Sequence, residues 1–163
     1  MNETKAATTA VSRKKGRHMS KRLLFVGALA TAVVVPALAF GAMSPVVSAK
    51  LTGKAEKPAA DPNGSGIVVL HLDGKKGKAC WAFAKVKNIG TPQSAHIHKG
   101  KAGQIGAVVV PLGGAYKAKG CISASKDDIA DIEEHPNRYY VNIHNAKYPN
   151  GAIRGQLVVG MLG

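Results

Sequence analysis

Over the last two thirds of the chain, apolar and polar residues alternate in short runs. Glycine, proline, asparagine and aspartate stand between the runs. A period of two is that of strands with one buried face, and the intervening residues are those of turns. The runs lie at 67–72, 79–86, 95–98, 107–112, 120–123, 139–144 and 152–159. In the second, Cys80, Ala82, Ala84 and Val86 share one face. Only Ser125 to Glu134 has a helical character, with Ser125 as cap, Asp128 three residues on and Pro136 as the stop. About seven strands in roughly 100 residues with one short helix predict an all-β fold, an antiparallel Greek-key sandwich or barrel.

The first 49 residues follow a different pattern, that of an export signal. Arg13, Lys14, Lys15, Arg17, Lys21 and Arg22 precede an apolar run from Leu23 to Met43, and Met19 is an alternative start. Val47-Ser48-Ala49 places small residues before a cleavage point expected after Ala49. The alternative is an uncleaved anchor, since about 20 apolar residues span a bilayer. Pro36, Gly41 and Pro45 interrupt the run and favour cleavage. Residues 50–64, rich in Lys, Pro, Gly, Ala and Asp, read as a flexible linker to a single domain at 65–163.

Charge changes the picture only modestly. Of the net +14, seven of 23 basic residues and one of nine acidic residues precede Lys50, which leaves +8 for the remainder. These cations are scattered, and Trp81, Phe83, Tyr139 and Tyr140 sit within strand-like runs, not between basic clusters. Nucleic acid is therefore not expected as a partner. An anionic cell-surface polymer or a protein outside the cytoplasm suits a solvated cationic surface better. A membrane enters only through the N-terminal segment, if that stays uncleaved. Cys80 and Cys121 form an even pair 41 residues apart, which in an oxidising compartment reads as one structural disulfide.

One pattern occurs twice. Ile97-His98, Lys101 and Gly106-Ala107-Val108 are echoed by Ile143-His144, Lys147 and Gly151-Ala152-Ile153. Each reads as a strand ending in histidine, a glycine turn and a return strand. The repeat places His98 and His144 at equivalent strand ends.

These segments also carry a resemblance. Ala95-His96-Ile97-His98-Lys99-Gly100 with Gly103 and Gly106-Ala107-Val108-Val109-Val110 is similar to the first half of the CHRD (chordin-domain) signature. Tyr139-Tyr140-Val141-Asn142-Ile143-His144 with Pro149-Asn150-Gly151-Ala152-Ile153-Arg154-Gly155-Gln156-Leu157 is similar to the second. The resemblance spans roughly Gly66 to Leu162 and implies an extracytoplasmic module. The Cys80 and Cys121 pair resembles that of the bacterial stand-alone members. The growth-factor antagonism of chordin does not carry over, because no cysteine-rich partner domain is present.

A weaker likeness concerns copper/zinc superoxide dismutase. His96-Ile97-His98 is similar to its copper-binding pair, His144 to its late copper histidine, and Asn150 to Arg154 to the segment bearing its substrate-steering arginine. The likeness implies a superoxide dismutase-like barrel, with an immunoglobulin-like sandwich as the other all-β form. A bridging histidine and a zinc-binding loop are missing from the sequence, so dismutase catalysis is not expected.

The chemistry itself centres on three histidines. His96 and His98 are two apart on a strand, so both leave one face about 7 Å apart. His144, on the face of Tyr140 and Asn142, offers a third nitrogen. Three neutral imidazoles with an open position suit copper or zinc. The alternative is structural, with the imidazoles bonding nearby carbonyls and tyrosines to fix the glycine turns, and Arg154 and Gln156 acting likewise. His71 and His135 read as ordinary strand-end or surface residues. Asp127, Asp128, Asp131, Glu133 and Glu134 crowd one short helix and read as a solvated face. No nucleophile, base and oxyanion set assembles. Two readings stay open: an exported binding or structural module of unassigned ligand, and a copper- or zinc-binding protein using His96, His98 and His144, with Tyr140, Asn142 and Arg154 around them.

Overall fold

The computed structural model describes residues 45–162. In chain order it runs β1 (Val46–Thr52), a 3₁₀ turn (Gly53–Ala55), β2 (Ser65–Asp73), β3 (Lys78–Lys87), β4 (Pro92–Lys99), β5 (Val108–Pro111) and β6 (Lys119–Ser123). Then come α1 (Lys126–Glu134), a second 3₁₀ turn (Pro136–Arg138), β7 (Tyr139–Asn145), β8 (Ile153–Gln156) and β9 (Val158–Val159). The strands form one antiparallel sheet in the order β5-β4-β7-β8-β1-β2-β3-β6, with β9 against β1. The sheet curls into a half-barrel, and residues 112–118 cross its open side. There the Leu112 and Tyr116 N–H groups donate to Ala95 and Gln93 of β4. At the other end, Phe83 N–H and Trp81 Nε1–H of β3 donate to the carbonyls of Ala118 and Lys117. The all-β expectation stands.

Alternation decides which side of each strand is core. Val47, Ala49 and Leu51 of β1, Val68, Leu70 and Leu72 of β2, Ala79, Trp81 and Phe83 of β3, and Ala95 and Ile97 of β4 point inward. Val141 and Ile143 of β7 and Ile153 of β8 join them. α1 starts as its sequence dictates, with Ser125 Oγ accepting from Asp128 N–H, and it buries Ile129 and Ile132. The acidic cluster on this helix is not wholly solvated: Asp131 accepts from Lys99 Nζ and from the Tyr139 hydroxyl, which ties the helix to β4 and β7. Cys80 and Cys121 are directly opposed across β3 and β6 and are bonded. They lie on the outer face, since Ala79 and Trp81 take the inner one.

Several expectations need correction. Residues 50–64 are not a flexible linker. They complete β1, form the first 3₁₀ turn and bury Gly53 and Glu56. The domain therefore includes Val46 and does not start at residue 65. The cleavage point expected after Ala49 falls inside β1, where Val46–Thr52 pair with Ser65–His71. Burying Val47 alone stabilises the fold by about 1.5–3 kcal/mol, a sizeable share of a net stability of about 5–15 kcal/mol, and Ala49 is buried beside it. A cut there would remove half of an interior strand. The basic stretch, the apolar run and Met19 lie outside the described residues. Among the described residues no helix is long and apolar enough to cross a membrane.

The run 152–159 is two strands, not one. Leu157 breaks it, buried and donating to Tyr139 O, so β8 pairs with β7 while β9 turns to β1. Finally, the two histidine-ended hairpins do lie side by side, but β4 and β7 are antiparallel. His98 therefore faces Tyr140, and His144 faces Ser94, at opposite ends of the shared ladder.

Candidate metal centre

The core needs only one face of β4, β7 and β8. Their other face carries Ser94, His96 and His98, then Tyr140, Asn142 and His144, then Arg154 and Gln156. His96 is opposite Asn142 and His98 opposite Tyr140. Arg154 is opposite Asn142 on its other side, and Gln156 opposite Tyr140. Two loops fold over this polar face. The β4–β5 turn brings in the carbonyls of Gln104 and Gly106, and the segment after β1 brings in Ala55 and Glu56.

Diagonal neighbours across a ladder stand within reach of long or aromatic side chains. The twist brings His144 diagonally onto His96: Nδ1 of His96 and Nε2 of His144 are 3.0 Å apart, with ring centroids at 4.8 Å. A parallel diagonal puts Asn142 on His98, whose Nε2 lies 3.0 Å from Asn142 Oδ1. One ring nitrogen of each histidine lies within 4.8 Å of those of the other two.

The tautomers follow from the acceptors. Nδ1 of His98 lies 2.9 Å from Gly106 O, and Nδ1 of His144 lies 2.9 Å from Pro149 O. A carbonyl only accepts, so each Nδ1 carries the proton and each neutral ring keeps its lone pair on Nε2. The atom beside Nε2 of His98 is Asn142 Oδ1, at 3.0 Å; turning that amide end for end, which leaves its shape unchanged, presents NH₂ to the lone pair. The His144 lone pair faces His96, whose Nδ1–H is its donor. Histidines that bind metals commonly have one N–H fixed on a carbonyl in this way. His96 differs, since among the described residues its only ring partner is His144.

Burial holds the pair in the lone-pair form. Removal from water, reinforced by His144 and His98, pushes the His96 imidazole down to about 4. The His144 imidazole is also held below its usual value, chiefly by burial, with the Pro149 carbonyl acting in the opposite sense. Both offer nitrogen lone pairs at neutral pH.

Two glycines let the covering turns come this close. At Gly106 a Cβ would collide with the carbonyl of Lys99. Gly151 has φ +129°, and a Cβ there would collide with the Glu56 carboxyl. The turns they form are those whose carbonyls, Gly106 and Pro149, hold His98 and His144.

Of the residues expected around the histidines, Tyr140 and Asn142 touch one of them. Tyr140 stacks on His98 at 4.8 Å between centroids with 8° between planes, and its hydroxyl accepts from Gly106 N–H. Arg154 does not bond a histidine. Its guanidinium lies 4.6 Å from the other side of the Tyr140 ring, donating from Nε to Ala55 O and from Nη1 to Gln104 O. Gln156 does fix a turn, donating from Nε2 to Gly100 O and to Asn137 O. His71 is exposed on β2, and His135 caps the end of α1.

Glu56 was missed altogether. It is 4% exposed, its Oε2 is 3.9 Å from Arg154 Nε, and its Oε1 has no hydrogen-bond partner. Burial raises its carboxyl to about 7 against the opposing pull of Arg154. The one signal in the sequence was a lone acid within Lys54–Lys57.

The family model of the CHRD domain matches residues 47–157. No curated protein and no solved structure matches the chain.

Proposed function

The chain belongs to the CHRD domain family, whose domains are extracellular modules, and on that premise we propose that it works outside the cytoplasm as a module holding one Cu(II) or Zn(II) ion on His96, His98 and His144. The observation that carries the reading is the convergence of three ring nitrogens within 4.8 Å, two of the rings having Nδ1–H fixed on backbone carbonyls. Two nitrogens bonded to one ion at about 2.0–2.1 Å stand about 3 Å apart. His96 Nδ1 and His144 Nε2 already have that spacing. A cation between them needs little movement once the His96 proton shifts from Nδ1 to Nε2, which frees the Nδ1 lone pair. His98 closes the set by giving up Asn142. Three nitrogens leave a fourth position open, which suits exchange or capture of the ion. The outer-face disulfide and the N-terminal basic and apolar segments support export.

The same bonds support a second reading, in which His98 and His144 pin their turns and no ion is held. His96 separates the two, because it holds no turn. Calorimetric titration of the purified domain with Cu(II), then Zn(II), alongside His96→Gln, tests this. The metal reading expects one ion per chain and a loss of at least about tenfold in affinity in the variant. Equal weak uptake by both proteins removes it.

A further inference from the structure

Behind Tyr140, on the side away from His98, lies a cavity of about 280 Å³ lined by Lys54, Lys57, Tyr140 and Arg154 among others. We propose that this cavity is a binding site for a phosphate-type oxyanion, with the Arg154 guanidinium as its base and Lys54 and Lys57 as its rim.

The argument starts from the arginine. Arg154 is 4% exposed. A buried guanidinium needs either a carboxylate in bonding contact or another anion, because the lost hydration is otherwise uncompensated. Its protein acceptors are two neutral carbonyls, Ala55 and Gln104. The nearby carboxylate, Glu56, forms only a long ion pair with it, 3.9 Å from Nε and beyond hydrogen-bond distance. Among the described residues, no acceptor takes the Nη2 hydrogens. The two carbonyls and the stack on Tyr140 fix the plane of the guanidinium. A fixed planar fork with one uncommitted amino group is pre-organised for an oxyanion.

The rim points to the same ligand. Lys54 and Lys57 are both exposed, and neither is ion-paired among the described residues. Three cations therefore meet at a cavity whose one nearby carboxyl is buried and weakly acidic. Flexible ammonium groups suit a phosphate as point charges, while the arginine supplies direction. Free phosphate and the phosphodiester of a surface polymer present the same oxygens to such a site.

The site does not depend on the histidines taking a metal, so its test uses chelator-treated protein. Titrate that protein at low ionic strength with inorganic phosphate and, separately, with a glycerol-phosphate oligomer, beside Lys54→Gln/Lys57→Gln. This variant alters exposed residues only, and a circular dichroism spectrum checks that it folds. Wild type is expected to saturate at one phosphate per chain, with roughly tenfold weaker binding in the double variant and a marked fall at high salt. Tighter binding of the oligomer assigns the polymer as source, and equal affinity assigns free phosphate. No saturable binding of either probe by wild type, or equal affinity in the double variant, overturns the proposal.

Discussion

Across the β4–β7 ladder, Nδ1 of His96 and Nε2 of His144 stand 3.0 Å apart, and each reaches the other along a diagonal of the ladder instead of directly across it. A single proton occupies the space between two lone-pair-bearing nitrogens there. That relationship makes the three histidines unequal. His98 and His144 each also hold a carbonyl of a covering turn, whereas His96 holds only His144.

The inequality predicts how metal-free stability divides. His98→Gln and His144→Gln each lose two ring hydrogen bonds, one of them to a turn carbonyl, and should cost about 1–3 kcal/mol. His96→Gln gives up only the bond to His144 and should cost less than either, at most about 1 kcal/mol. Urea unfolding in the presence of chelator measures all three.

Glu56 predicts a pH dependence of opposite sign to ordinary acid denaturation. Its carboxyl titrates at about 7 in the folded chain, above the ordinary glutamate value of 4.5. The folded chain therefore holds a proton that the unfolded chain releases. The resulting stabilisation is full below about pH 4.5 and is lost as the pH rises through 7. At about 1.4 kcal/mol for each tenfold change in acidity, the span is on the order of 3 kcal/mol. Glu56→Gln removes that slope, so the variant should gain on wild type between about pH 5 and pH 8. Urea midpoints at the two pH values decide it; a constant difference would mean that the carboxyl titrates normally.

The Cys80–Cys121 bond joins β3 to β6, strands well removed from β4 and β7 in the sheet. Closing 41 residues constrains the unfolded chain by about 4 kcal/mol on the chain-entropy account. Cys80→Ser/Cys121→Ser should lose stability of that order while keeping metal affinity. A parallel fall in metal affinity below the unfolding transition would couple the two regions, contrary to this account.

Export also acquires a sharper expectation. Val47, Ser48 and Ala49 are buried in β1 and paired in turn with Leu70, Val69 and Val68. A mature chain should therefore begin ahead of Val46, and a chain begun at Lys50 should fail to give a cooperative unfolding transition. The N-terminal mass of exported protein checks the first point, and thermal unfolding of the truncated chain checks the second.

Why the sequence led to Ala49 has a physical explanation. Alternation marked β2 through β8 because turn residues bound each run. In β1, Val47, Ala49 and Leu51 follow the long apolar stretch with only Ser44 and Pro45 between, and Val47-Ser48-Ala49 imitates a cleavage site. The segment after it is rich in Lys and Pro and reads as solvated, although Glu56 within it is buried. The histidines were legible because a spacing of two fixes a shared face. Their partners were not, because the carbonyls of Gly106 and Pro149 belong to the backbone and leave no residue-type signature. Arg154 was rightly placed on the polar face, yet its contact is Tyr140 and not a histidine.

The most direct test of the three-histidine centre is a paired titration with Cu(II) of wild type and His96→Gln, read by calorimetry and by the change in melting temperature. One ion per chain and a melting temperature raised by the metal in wild type, both largely lost in a variant whose metal-free stability is within about 1 kcal/mol of wild type, are the predicted result. Equal stoichiometry, affinity and melting temperature in the two proteins would contradict it.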